Sequence, residues 1–139
     1  MKFNYEDMLP EAQMMDVRSL LEDDHERCFL TGTRAYGPAS KDSDWDVVMR
    51  DKDVRPLYDL LMLLKIPIKD ACHIHPSYKG FSFRLNRLQE VQIIVADDDE
   101  EFDDWKRSTK VMKKKFPNIK DRRYRISIFQ QIFYSGEKL

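Results

Sequence analysis

Two carboxylates set two residues apart, Asp44 and Asp46 in Ser43-Asp44-Trp45-Asp46-Val47-Val48-Met49, are the part of this sequence best suited to chemistry. On a strand, side chains alternate between faces, so both acids would leave one side while Trp45 and Val47 leave the other. Two like charges held together invite a divalent cation. Hard oxygen ligands suit Mg²⁺ or Mn²⁺, which keep waters and share further coordination with substrate phosphates. Ten residues separate the acids from Gly32-Thr33. A glycine there lets the backbone approach a ligand closely, Thr33 offers a hydroxyl and an N–H, and Arg34 to Tyr36 can begin a short helix whose free N–H groups face an anion. Such a bend would hold the terminal phosphates of a nucleotide while the carboxylates hold the metal beside the reacting one.

The hydrophobic spacing says which elements carry these residues. Met14, Val17 and Leu21, with Pro10 where a first turn accepts proline, predict a helix over residues 10–22. Residues 27–32 and 44–49 read as neighbouring strands joined by the Gly-Thr segment. Asp53 is a plausible N-cap for a second helix with Leu57, Leu60, Leu61 and Leu64 on one stripe, in a region closed by Pro67. Residues 81–85 and 90–96 read as a strand pair, most simply a hairpin. Phe102, Trp105, Thr109, Met112 and Phe116 then share a face of a third helix with acids at its start and lysines at its end, aligned with its own dipole. After Pro117, a last helix turns Phe129, Ile132 and Phe133 inward and meets Gly136 just past its end. The whole predicts an α/β (α+β) domain, a small mixed sheet flanked by helices, occupying residues 1–139 with a helical C-terminal part from about residue 98.

Composition narrows the function classes only a little. The chain has 139 residues, 42% of them apolar, which suits one domain with a real core. A net charge of −1 gives no global attraction to polyanions, so any such site must come from local clustering. Two cysteines, Cys28 and Cys72, make no disulfide framework, and neither has metal-ligand neighbours in the sequence. His73 and His75 lack a third convergent ligand and read as surface or packing residues. No apolar run approaches membrane-spanning length and the N-terminus lacks a signal-like core, so the expectation is a cytoplasmic protein without a membrane partner. Lys113, Lys114, Lys115, Arg122, Arg123 and Arg125 form a basic run that either serves solvation and the helix dipole or lines a groove for nucleic acid or nucleotide phosphates.

Gly32-Thr33, ten residues, then Asp44-x-Asp46 resembles the Gly-Ser-x10-Asp-x-Asp signature of the DNA polymerase β-like nucleotidyltransferase superfamily, in particular its minimal single-domain members. The likeness is densest from Phe29 to Val48, and Thr33 keeps the hydroxyl of the usual serine. It implies the polymerase β-like nucleotidyltransferase fold and transfer of a nucleoside monophosphate from an NTP to an acceptor hydroxyl, with pyrophosphate leaving and two Mg²⁺ (or Mn²⁺) ions in the site. By the same likeness Asp44 and Asp46 would be catalytic metal ligands, Gly32 and Thr33 would grip the β and γ phosphates, and Arg34 would add charge. The family's third carboxylate sits on a later strand, where the best-matching position here is Gln92, an amide that cannot act as a base. Glu90, two residues earlier on the same strand face, is the candidate substitute, a third catalytic acid reaching in from one pleat away.

Several functions remain compatible with these residues. One is a nucleotidyltransferase whose acceptor is a protein, a small molecule or a nucleic acid. A second is a catalytically degenerate nucleotide-binding or regulatory module, antitoxin-like, that lacks the third acid. A third is a nucleic-acid-binding protein that uses the basic C-terminal helices and ignores NTP.

Overall fold

The alternation in the 44–49 segment builds the centre of a sheet. In a computed structural model, which describes residues 26–70, 79–84 and 90–139, β2 (Trp45–Arg50) lies between β1 (Cys28–Thr31) and β5 (Glu90–Ala96). The predicted helix over 10–22, Cys72, His73 and His75 lie outside the described residues. β1 runs antiparallel to β2 with Thr31 opposite Asp46, and β5 runs parallel to β2 with Gln92 opposite Asp46. β4 (Lys79–Arg84) pairs antiparallel with β5, as the hairpin reading expects, and the two-residue β3 (Lys69–Asp70) closes the far edge. The sheet is therefore mixed, with helices packed on both sides.

Parallel pairing of β2 with β5 requires a long crossover. It contains α2 (Val54–Leu63), whose Leu57 and Leu61 are fully buried against Val47, Met49, Val91 and Ile93 on one sheet face. Burying a leucine completely contributes about 2 kcal/mol, so this stripe is a principal anchor of that face. The helix begins where Asp53 suggests, but Asp53 makes no capping bond. Its carboxylate instead lies 3.4 Å from Arg50 Nη1, and a short 3-10 turn over Asp51–Asp53 leads into the helix. The helix also stops before Pro67: Lys65 adopts a left-handed φ of 57°, and Ile66 N–H donates back to the Leu61 carbonyl at 3.0 Å.

The opposite sheet face presents Phe29, Val48, Ile94 and Ala96, and α3 (Asp99–Lys115) covers them with Phe102. Asp98 caps α3 by accepting from Glu101 N–H at 2.8 Å, and the acids of the first turn and lysines of the last complement its dipole. α4 (Arg122–Ser135) packs on α3 through Phe129 and Ile132 against Val111 and Met112. Arg107 locks the pair: its guanidinium donates to the carbonyls of Ile132 at 3.0 Å, Phe133 at 2.9 Å and Glu137 at 2.6 Å. A cation on the last carbonyls of a helix satisfies orphan acceptors and meets the negative end of the dipole. Among the described residues, no helix is long and apolar enough to cross a membrane.

Candidate functional site

The site begins at the end of β1, where the chain must turn. Gly32 takes a φ of 67° and opens α1 (Thr33–Tyr36), with its carbonyl accepting from Ala35 N–H at 2.9 Å and Tyr36 N–H at 3.1 Å. Two constraints make this position a glycine. The left-handed φ strains any other side chain, and a Cβ there would overlap Asp46 Oδ2. The bend and the acid pair are thus in contact, brought together by the Thr31–Asp46 register one residue away.

Asp44 and Asp46 line one open cleft of about 1030 Å³ together with Gly32, Thr33 and Gln92. Asp46 keeps some surface toward this cleft but is densely surrounded by protein. Its pKa is pushed from 3.8 up to about 7, first by burial and then by the charge of Asp44, against the opposing pull of Arg122 and Arg125. Asp44 is raised as well, by burial and then by Glu90, while Arg84, Arg122 and Arg34 pull it down. Neither carboxylate has a cation in a close ion pair among the described residues.

Gln92 stands beside them. Its Nε2 donates to Asp44 Oδ2 at 3.3 Å, and the strand register sets it opposite Asp46. Glu90 lies at the mouth of β5, opposite Arg84 of β4, near enough to act electrostatically on Asp44 but not among the residues lining the cleft. No group of three or more His, Cys, Asp or Glu side chains placed to hold a metal occurs among the described residues.

Arg34 is engaged in holding the loop that delivers Asp44. Its Nε donates to the Ser43 carbonyl at 3.0 Å, its Nη2 to the Lys41 carbonyl at 3.2 Å, and its guanidinium stacks 4.3 Å from the Trp45 ring centroid. The cations that line the cleft are Lys120, Arg122 and Arg125. Arg125 Nη2 reaches Thr33 Oγ1 at 3.4 Å while its Nη1 is held by the Ile119 carbonyl at 2.9 Å. Lys113, Lys114, Lys115 and Arg123 do not line it, and Lys115 pairs with Glu137 at 3.0 Å. The basic run of the sequence is therefore split between two surfaces.

Sequence reasoning offered Arg122 and Arg125 as groove-lining cations but missed Lys120 and the apolar wall of the cleft. Arg122, Arg125, Ile126, Phe129, Gln130, Phe133 and Tyr134 all line it, a stripe spaced three, four and seven apart along α4. Trp105 of α3 completes the wall, its ring 5.1 Å from that of Phe129. The spacing was visible as a helical face; what it faced was not.

The donor set fits a magnesium-like ion. Two hard carboxylate groups lining one cleft, each raised in pKa by burial and by like-charged neighbours, carry an electrostatic cost that a divalent cation relieves. Two protein ligands suffice when phosphates and water supply the rest. No model of a known protein family matches this chain, and no curated protein matches it.

Proposed function

We propose that the cleft binds a nucleoside triphosphate with Mg²⁺ or Mn²⁺ and that the chain is a nucleotidyltransferase of the polymerase β-like fold. The observation that carries this reading is the contact of the Gly32 bend with Asp46, beside Asp44 in the same cleft. Asp44 and Asp46 would hold the cation, and the Gly32-Thr33 bend would receive the terminal phosphates. Arg122 and Arg125 add charge from across the cleft, in the part first assigned to Arg34. When bound, the cation neutralises phosphate charge and polarises the reacting phosphorus. An acceptor hydroxyl oxygen would then bond to the α-phosphorus as the bond to the β-phosphate oxygen breaks, with pyrophosphate leaving and the hydroxyl proton passing to a base or to water. The acceptor is a protein, a small molecule or a nucleic acid. A nucleotide substrate suits a cytoplasmic site of action.

Gln92 favours a second reading. An amide takes no proton from the acceptor, so a module that binds nucleotide without transferring it is the alternative. Incubation with each labelled NTP and Mg²⁺ or Mn²⁺, alone and with cell lysate, separates the two. Label transfer that disappears in Asp44→Asn and Asp46→Asn supports the transferase; calorimetric binding without transfer to any acceptor supports the module. Glu90→Gln tests the substitute acid, and undiminished transfer in that variant removes Glu90 from the catalytic set.

A further inference from the structure

Three positions that meet in the cleft, Asp44 just before β2, Asp46 on β2 and Gln92 on β5, carry two acids and one amide. β2 and β5 run parallel with Asp46 opposite Gln92, so these side chains leave the same sheet face. The amide has two effects on that face. It brings no negative charge, and its N–H, 3.3 Å from Asp44 Oδ2, occupies a lone pair that a cation would otherwise use. Glu90, on the same face of β5, is about 7 Å further back along the strand and is matched in register with Arg84. No group of three or more acids placed to hold a metal occurs among the described residues.

The two cations of a nucleotidyl-transfer centre make unequal demands on the protein. One rides on the triphosphate, whose oxygens supply much of its coordination, and needs few carboxylates. The other sits at the attacking oxygen and must be held chiefly by protein oxygens, which makes it the ion most sensitive to losing an acid. Two carboxylates balance one divalent ion, and the amide bonded to Asp44 brings no further charge for a second.

We infer that this centre holds a single divalent cation, the one arriving with the triphosphate, and that Gln92 is a positioning residue that fixes Asp44 in place of a second cation. The inference rests on the nucleotide-binding reading above. It is tested by equilibrium dialysis of the full chain against Mn²⁺ and an NTP analogue with a non-hydrolysable α,β-methylene bridge, measuring the excess of manganese and of nucleotide retained with the protein. The expected ratio of manganese to nucleotide is one for the natural chain, two for Gln92→Asp, and still one for Gln92→Met, which lacks any amide oxygen to act as a ligand but, with Asp44 no longer held, should bind manganese several-fold more weakly. A ratio of two in the natural chain overturns the single-cation centre and leaves nucleotide binding intact. Retention of neither ion nor nucleotide by the natural chain removes both readings. The natural chain's ratio decides the matter even if Gln92→Asp does not fold. A Gln92→Met variant that keeps nucleotide but loses manganese overturns the positioning role, because Gln92 would then be a metal ligand itself.

Discussion

The two faces of the sheet are made by the same strands and do opposite work. On the α2 side, Val47, Met49, Val91, Ile93, Phe81 and Phe83 pack with Leu57 and Leu61 into a continuous apolar layer. On the other side, Phe29, Val48, Ile94 and Ala96 pack under Phe102 at one end only, and the opposite end gives way to Thr31, Asp44, Asp46 and Gln92 around the cleft. Alternation along β2 and β5 assigns each residue to one face, so stability is concentrated on one side and the crowded acids on the other. The lesson is that the polar end of the second face costs folding energy that the first face offsets.

The comparison breaks most sharply if substitutions on the two faces act alike. Leu61→Ala empties a fully buried position and should lower unfolding free energy by about 2–5 kcal/mol in a denaturant titration, while nucleotide affinity of the folded fraction is unchanged. Asp46→Asn should do the reverse. It should weaken Mg²⁺-dependent NTP binding by about a hundredfold, about 2.7 kcal/mol, and, without metal at pH 8, raise stability by on the order of 2 kcal/mol.

The sign follows from its pKa. The folded-state value of about 7 lies above the ordinary 3.8, so the folded chain keeps a proton that the unfolded chain releases. Stability is full below about pH 4, falls as the pH rises toward 7, and levels off above it. A thermal-melt series from pH 4 to 8 should show this fall in the natural chain and a flatter profile in Asp46→Asn. Saturating Mg²⁺ with nucleotide should restore stability at pH 8 in the natural chain alone.

Smaller effects sharpen the assignment of the cations. Arg125→Ala should weaken nucleotide binding by about tenfold, as expected for loss of one charge-assisted contact, with the change read by calorimetry. Asp53→Ala should shift stability by less than about 0.5 kcal/mol, because its carboxylate caps nothing and its pairing with Arg50 is a minor contribution. A loss of 1 kcal/mol or more in chemical denaturation would return it to the capping role that the sequence suggested.

Much of the framework was legible because it is local. The β2 alternation, the leucine stripe of α2 and the dipole-matched charges of α3 all follow from spacing within one segment. The Gly136 end of α4 was legible for the same reason, whereas the Asp121 cap was not singled out. What escaped depends on distant pairing. Arg34 read as a spare charge beside the bend, yet its direction is set by Ser43, Lys41 and Trp45. The aromatic part of the α4 stripe read as packing alone, and Arg122 and Arg125 read as one undivided basic run with the lysines, because the approach of α4 to Thr33 depends on α3 and on Arg107 gripping carbonyls 25 to 30 residues away. The α2 stop at Lys65 escaped because a left-handed lysine leaves no sign comparable to glycine.

Calorimetric titration of the chain with a non-hydrolysable NTP analogue, with Mg²⁺ and again with excess chelator, tests the cleft most directly. Saturable binding with Mg²⁺, lost on chelation and lost in Asp46→Asn, is the predicted result. Binding of equal strength in all three conditions, or none in the first, would contradict the account.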